Sequence, residues 1–273
     1  MAASAVKTAD GLSSKTYPGR VVGVGMTPNN TPFVVYGLTG RSKSSKARKL
    51  ALEPKGRRLM MVTKPTDMSA LQQGNVALLI YPVMMADDGR RIVISNGAQT
   101  PLALKGPLPV ALMSPHKVHG IDVTSYEPDE PNFTPRITAE LARRERHWLS
   151  TFLSVRRSDG GHPLMTVNQY ELVPGVARLL PTYAGGNEKE RLLPFIEDPI
   201  RMDITANDPR LLCEHLYAAL RGVGPEDYRV SAAVVTLSPG KRVVTAGVAI
   251  INASDNPDSK ASLSGFHLKS VAR

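Results

Sequence analysis

The sequence predicts a single α+β domain in which sheets are sandwiched by helices, and three observations carry that expectation. β-rich runs come first, helix-like patterns fill the middle, and β-rich runs return before the end. At 273 residues the chain is long enough to bury a sizeable core. It shows no internal repeat.

In chain order, residues 1–16 are small and polar, and a disordered N-terminal tail is expected there. One domain is expected over 17–251, and a flexible C-terminal tail over 252–273, which is rich in Ser, Asp, Asn and Lys. From Gly19, the runs G-R-V-V-G-V-G-M and F-V-V-Y-G-L flank a P-N-N-T-P turn and read as a hairpin. Gly23-x-Gly25 is not a dinucleotide-binding loop, because no third glycine follows at the needed spacing and no helix opens there. Further strands are expected at Leu59–Thr63, Val76–Tyr81 and Arg91–Ser95, the last ending in the tight-turn signal Ser95-Asn96-Gly97. Pro107–Thr124 reads as an interrupted helix. Ile137–Ser154 reads as a helix on which Ile137, Leu141, Trp148, Leu149 and Phe152 share a face. Strands follow at Leu164–Leu172 and Gly175–Leu180, then the loop G-G-N-E-K-E-R. Asn207 or Asp208 caps a helix with Pro209 in its first turn, and Gly222 stops it. Leu211, Leu212, His215, Leu216, Ala219 and Leu220 line its buried face. Val230–Leu237 and Arg242–Ile251 close the fold around S-P-G-K.

Between the two middle helices lies Ser125–Arg136, S-Y-E-P-D-E-P-N-F-T-P-R. Pro128, Pro131 and Pro135 each remove a backbone donor and push the preceding residue towards extended geometry, so this stretch is a loop. A stiffened acidic loop (Glu127, Asp129, Glu130) in a basic chain suits positioned chemistry, and the same composition also describes a solvated turn.

Composition narrows the function. The chain is 42% hydrophobic and 21% charged, as soluble globular proteins are. Aromatics make up only 5%, too few for a base-stacking surface. Cys213 is the one cysteine, which excludes an intramolecular disulfide and a cysteine-based zinc cluster. No apolar signal region and no run of ~20 apolar residues occurs, so neither secretion nor a membrane span is expected, and the cytoplasm is. The net charge of +10 suits a polyanion or a phosphorylated substrate, and equally plain solubility. Eight of the cations fall between Arg41 and Arg58, against one acid, Glu53. His116-x-x-His119 lacks a third metal ligand and reads as a polar pair; Cys213 reads as a small buried hydrophobe; no G-x-S-x-G elbow occurs.

Several stretches in order resemble the archaeal-type IMP cyclohydrolase family: Tyr17-Pro18-Gly19-Arg20, Gly40-Arg41-Ser42, Tyr81, Val93–Thr100 (V-I-S-N-G-A-Q-T), Tyr126-Glu127 with Asp129-Glu130, and Thr134-Pro135-Arg136-Ile137. The likeness covers 17–141 and, more weakly, runs to about 251. It implies a four-layer αββα sandwich like that of N-terminal-nucleophile hydrolases, used without the N-terminal nucleophile. It also implies closure of 5-formamidoimidazole-4-carboxamide ribonucleotide to inosine monophosphate (IMP), no metal or organic cofactor, and a homo-oligomer, dimer or tetramer. Departures are Lys46 where the family usually has arginine, Ser125 where it tends to have an acid, and Pro82-Val83 after Tyr81 where relatives often have Asn and Cys. Extra residues occur at both ends and around Gly185–Arg201.

That chemistry needs a weakly nucleophilic carboxamide nitrogen held against a formyl carbon, help for charge developing on the formyl oxygen, and a proton acceptor. Tyr81 is the candidate donor to the oxygen, and Glu127 the candidate to orient or deprotonate the carboxamide. Asn96 either binds the carboxamide or base, or is a simple turn residue. Phosphate suits a guanidinium fork, with Arg20, Arg41, Ser42, Lys46 and Arg48 as candidates, Gly97 near the bound substrate, and Arg136 either binding it or anchoring the acidic loop. Two other readings stand beside this one. The first is a paralogue closing or hydrolysing a ring on a related nucleotide. The second is a basic nucleic-acid-binding module, which the scarce aromatics and the missing DNA-binding signature disfavour.

Overall fold

β1 (Arg20–Met26) and β2 (Pro32–Thr39) are buried along their full length, because they lie mid-sheet with apolar layers on both faces. The computed structural model describes residues 10–55, 58–87, 91–145, 147–186, 191–238 and 245–255. The expected hairpin is present, Arg20 pairing with Leu38 and Met26 with Pro32. Gly23 is demanded by packing: a Cβ there would overlap the Leu179 and Val35 side chains of the flanking strands.

A helical turn, α1 (Asp10–Ser13), precedes β1, and a second, α2 (Lys43–Lys46), follows β2. Next are β3 (Arg48–Lys55), β4 (Arg58–Pro65), α3 (Met68–Leu71), α4 (Val76–Leu79), β5 (Pro82–Ala86), β6 (Arg91–Ser95) and α5 (Thr100–Ala103). A 3₁₀ turn at Val110–Leu112 leads to the small hairpin β7 (Lys117–Val118) and β8 (Ile121–Asp122). Then β9 (Arg136–Arg144), β10 (His147–Arg157), β11 (Pro163–Glu171), β12 (Val176–Pro181), β13 (Ile200–Asp203), α6 (Pro209–Ala219), β14 (Arg229–Leu237) and β15 (Thr245–Asn252) complete the order.

The strands form two large sheets, both antiparallel throughout: six strands in the order β13-β12-β1-β2-β14-β15, and seven in the order β11-β10-β9-β6-β5-β4-β3. The main core lies between them, with Val22, Val24, Tyr36 and Leu38 from one sheet and Ile92, Ile94, Ile137 and Phe152 from the other. α6 covers the outer face of the six-stranded sheet through Leu212, Cys213 and Leu216. Outside the seven-stranded sheet, Ala103, Leu108 and Leu112 pack on Val93, Leu153 and Val155. The described residues therefore form a sheet-rich α+β fold without a closed barrel.

Four expectations need correction. Ile137–Ser154 is not a helix but the hairpin of β9 and β10. Ile137 and Leu141, like Trp148 and Phe152, are spaced by four, which also fits period two, and all four face the main core. Pro107–Thr124 holds only the 3₁₀ turn and the β7–β8 hairpin, with His116 and His119 exposed on it. Val76–Tyr81 is not a strand, since Asn75 caps the turn α4 by accepting from the Ala77 N–H. Leu211, expected on the buried face of α6, is exposed. The α6 boundaries agree with the sequence reading: Asp208 caps by accepting from the Arg210 N–H, and Pro209 opens the first turn. Asp10–Ser13, within the expected N-terminal tail, form a turn whose Leu12 is buried. The S-P-G-K turn, the rest of the 1–16 tail, most of the G-G-N-E-K-E-R loop and the tail from 256 lie largely outside the described residues.

Candidate active site

Arg20 opens β1, Arg136 opens β9, Tyr81 immediately precedes β5, and Asn96 follows β6. The antiparallel order brings these four strand ends to one end of the sandwich. The acidic loop 125–135 runs between β8 and β9 and folds over the same end. Its Glu127 N–H donates to Thr134 O at 2.8 Å, which closes the loop on itself.

Glu127 is the centre of the cluster. Its Oε1 lies 2.6 Å from Arg20 Nη2 and 3.7 Å from Arg136 Nη1, and all three residues are buried. Burial pushes the Glu127 carboxyl up from its ordinary range, against the pull of the Arg20 and Arg136 guanidiniums. Burial also lowers Arg136, despite Glu127 beside it. For Arg20 burial works against the charge, but Glu127 together with Tyr81, Tyr183 and Tyr36 outweighs it and raises the group. The Nε atoms of Arg20 and Arg136 are buried and make no hydrogen bond among the described residues.

Around this cluster sits a cleft of about 290 Å³, close to the lower end of the usual ligand-pocket range. Arg20, Glu127, Arg41, Ser42 and Arg48 line it, as do Asp129, Thr134 and Tyr183. Arg48 is held by donating from Nε to Ser45 O at 3.0 Å and from Nη1 to Leu79 O at 3.2 Å. Ser42 caps α2. The Arg41 guanidinium lies over the Tyr17 ring at 5.1 Å. Lys46 instead reaches to Asp227 O at 3.1 Å and over the Tyr228 ring, and it is not part of the cleft wall.

Tyr81, Asn96, Gly97 and Arg136 stand behind the wall. The Tyr81 hydroxyl is 3.0 Å from that of Tyr36, and both rings are buried. Two hydroxyls bring two protons to one shared hydrogen bond, so one O–H of the pair remains to donate elsewhere. The Asn96 amide pins β6 to β9: Nδ2 donates to Pro135 O at 2.7 Å, and Oδ1 accepts from Ile137 N at 2.9 Å and from Gln99 Nε2 at 3.1 Å. Gln99 Oε1 in turn accepts from Arg136 Nη1 at 3.2 Å. Gly97 has no side chain because a Cβ there would overlap that guanidinium and the Gln99 amide.

Tyr36, Gln99, Thr134 and Tyr183 were not singled out as site residues from sequence. Gln99 and Thr134 lie within the family-like runs Val93–Thr100 and Thr134–Ile137, which was their available signal. Tyr36 lies mid-strand and Tyr183 just after β12, and neither carries a local pattern. Thr134 Oγ1 donates to Asp129 Oδ2, so the Tyr183 hydroxyl, 2.6 Å away, is the donor to Thr134.

A larger cavity of about 720 Å³ opens at the other end of β9, lined by Asp87, Arg91, Arg143, Arg144, Glu145 and His147 among others. Its lining carries both signs of charge, and Arg91 there pairs with the buried Glu140 at 3.2 Å. Among the described residues no group of three His, Cys, Asp or Glu side chains is placed to hold a metal, and no helix is long and apolar enough to cross a membrane.

Residues 17–241 match the family described as IMP cyclohydrolase-like protein. The chain belongs to the IMP cyclohydrolase-like family. Comparison with curated proteins and with solved structures returns no match. The family name points to an enzyme of the cyclohydrolase type, and its matched region spans the whole buried cluster from Arg20 to Arg136 together with Tyr183.

Proposed function

We propose that the protein is an IMP cyclohydrolase, closing 5-formamidoimidazole-4-carboxamide ribonucleotide to inosine monophosphate. The observation that carries this reading is the buried Arg20–Glu127–Arg136 cluster at a cleft whose wall also holds Arg41, Ser42 and Arg48. A guanidinium-rich wall suits the substrate's phosphate, and the carboxylate suits its carboxamide. In closure the carboxamide nitrogen forms a bond to the formyl carbon, giving a carbinolamine. The formyl oxygen then leaves as water, taking one hydrogen from the carboxamide nitrogen and one from the formamido nitrogen. Glu127 orients the carboxamide and accepts its proton; the Tyr81–Tyr36 pair, buried beside Arg20 and Arg136, supports from behind the cleft wall the charge that builds on the formyl oxygen. Arg20 and Arg136 hold Glu127 in place and keep it ionised for that step. Asn96 and Gln99 act through Arg136 and the β6–β9 junction.

We read the sandwich as resembling the N-terminal-nucleophile hydrolases, an αββα arrangement. What supports this is α6 on one outer face and α5 with the 3₁₀ turn on the other. The test of the activity is ultraviolet-monitored conversion of the formylated ribonucleotide to IMP by wild type, Glu127→Gln and Tyr81→Phe. Wild type turns over, and each variant loses on the order of 10²- to 10⁴-fold in kcat. A folded wild type that does not convert the substrate sinks the proposal and directs attention to ring closure on a related nucleotide.

A further inference from the structure

The acidic loop 125–135 presents some of its side chains to the cleft and turns others away from it. Glu127, Asp129, Asn132 and Thr134 line the cleft, whereas Tyr126 and Phe133 do not. Those two rings meet each other edge to face, with centroids 5.7 Å apart and planes at 88°. Phe133 holds a left-handed backbone conformation, with φ of 46°. A bulky side chain avoids that region, so its surroundings must hold it there.

The neighbour that does so is the end of the β10–β11 hairpin. β10 runs antiparallel to β9 with Val155 opposite Arg136, so Arg157, two residues on, stands beside the chain that enters β9. The Arg157 guanidinium lies over the Phe133 ring at 4.3 Å. Its Nε is buried and makes no hydrogen bond among the described residues, so the group meets the loop through its flat face. The turn beyond it is closed by the Ser158 N–H donating to His162 O at 2.9 Å and the Gly161 N–H donating to Ser158 O at 3.0 Å. The Gly161 carbonyl in turn accepts from the Tyr126 hydroxyl at 2.7 Å. Each of the two rings is thus fastened to the same hairpin end.

We propose that Arg157 and Tyr126 are positioning residues: the β10–β11 turn clamps the acidic loop from behind and so places the Glu127 carboxylate beside Arg20 and Arg136 in the cleft. The consequence for catalysis rests on the cyclohydrolase reading, whereas the clamp rests on these contacts alone. Neither residue lines the cleft, and neither acts on substrate. Without the clamp the loop spends part of its time released. Substrate must then restore it on binding, which weakens apparent affinity in proportion to the fraction of molecules still held in place. Saturating substrate draws the loop back, so kcat is kept.

The test follows hydrogen exchange at the Glu127 N–H, which donates to Thr134 O in the closed loop, together with KM, kcat and the Kd for IMP. Arg157→Ala in the full chain is expected to exchange faster and to raise KM and the IMP Kd alike by about three- to thirtyfold, with kcat within about twofold of wild type. Arg157→Lys keeps the charge and loses the flat face, and shows most of the same loss. Tyr126→Phe keeps the ring and loses only the bond to Gly161, giving a smaller rise in all three quantities. Asp159→Ala, at an exposed position of the same turn, behaves as wild type. Unchanged exchange in Arg157→Ala and Tyr126→Phe overturns the clamp, whether or not wild type turns over the ribonucleotide. Should Arg157→Ala not fold, Tyr126→Phe decides the same question. Faster exchange with KM and the IMP Kd unmoved, in an active wild type, overturns the positioning role. A wild type that converts nothing removes the cyclohydrolase reading, and exchange still decides whether the turn holds the loop.

Discussion

Glu127 is held by two guanidiniums yet has its pKa raised by burial, and its role as proton acceptor requires the ionised form. Activity should therefore rise with pH through a limb displaced above the ordinary carboxylate range. The limb should vanish in what activity Glu127→Gln retains, and a pH–rate profile of kcat/KM on both proteins checks this. Arg136 keeps its position only while Gly97 lacks a side chain. Gly97→Ala should push the guanidinium off Glu127 and lower kcat/KM by roughly ten- to a hundredfold, with a small change in thermal midpoint; an unaltered kcat/KM would mean that Arg136 is not needed where it stands. At this scale Arg20, Glu127 and Arg136 were named as candidates through the family-like runs that hold them, and the fold brings the three side chains together. Lys46 was named with Arg48, but its ammonium is drawn to Asp227 O while Arg48 faces the cleft. Tyr36 was not legible, since a tyrosine within a buried strand looks like any other core residue.

The acidic loop 125–135 behaves as a unit because Thr134 ties it together: its N–H and Oγ1 both serve Asp129, and Tyr183 donates to Oγ1. Thr134→Val keeps the volume and removes the hydroxyl, leaving the buried Tyr183 O–H without its acceptor. It should cost about 1–3 kcal/mol in denaturant unfolding and raise KM more than it lowers kcat, since the loop carries Glu127 into the cleft. Equal unfolding midpoints for variant and wild type would remove Thr134 from this role. Prolines made the loop readable as a loop, whereas the elements beside it were misread. β9 is buried at its first seven positions, so it lacks the alternation by which strands are recognised, and spacings of four on β9 and β10 imitate a helix. α6 was readable because one face meets the sheet and the other meets water, and its cap and first-turn proline are local signals.

Cys213 is reached only when α6 and the six-stranded sheet part, because the thiol is buried between them. Burial pushes it up to about 12 from an ordinary value near 9. Between those two values the unfolded chain has released the proton and the folded chain still holds it, so the folded state binds more protons and stability falls as pH rises. The thiol's contribution is thus fully present below pH 9 and is lost as pH climbs towards 12, with a limiting slope of about 1.4 kcal/mol per pH unit. Buried Tyr36 and Tyr183, whose hydroxyls are also raised by burial, act in the same direction. The difference between wild type and Cys213→Ala isolates the cysteine: in urea unfolding from pH 8 to pH 10.5, their stability gap should shift steadily against wild type. In the same protein at pH 8, a thiol-specific reagent should label Cys213 only at the rate of global unfolding. Fast labelling of the folded chain, or a pH-independent gap, would mean that α6 lifts from the sheet on its own, and that the two core layers do not open together.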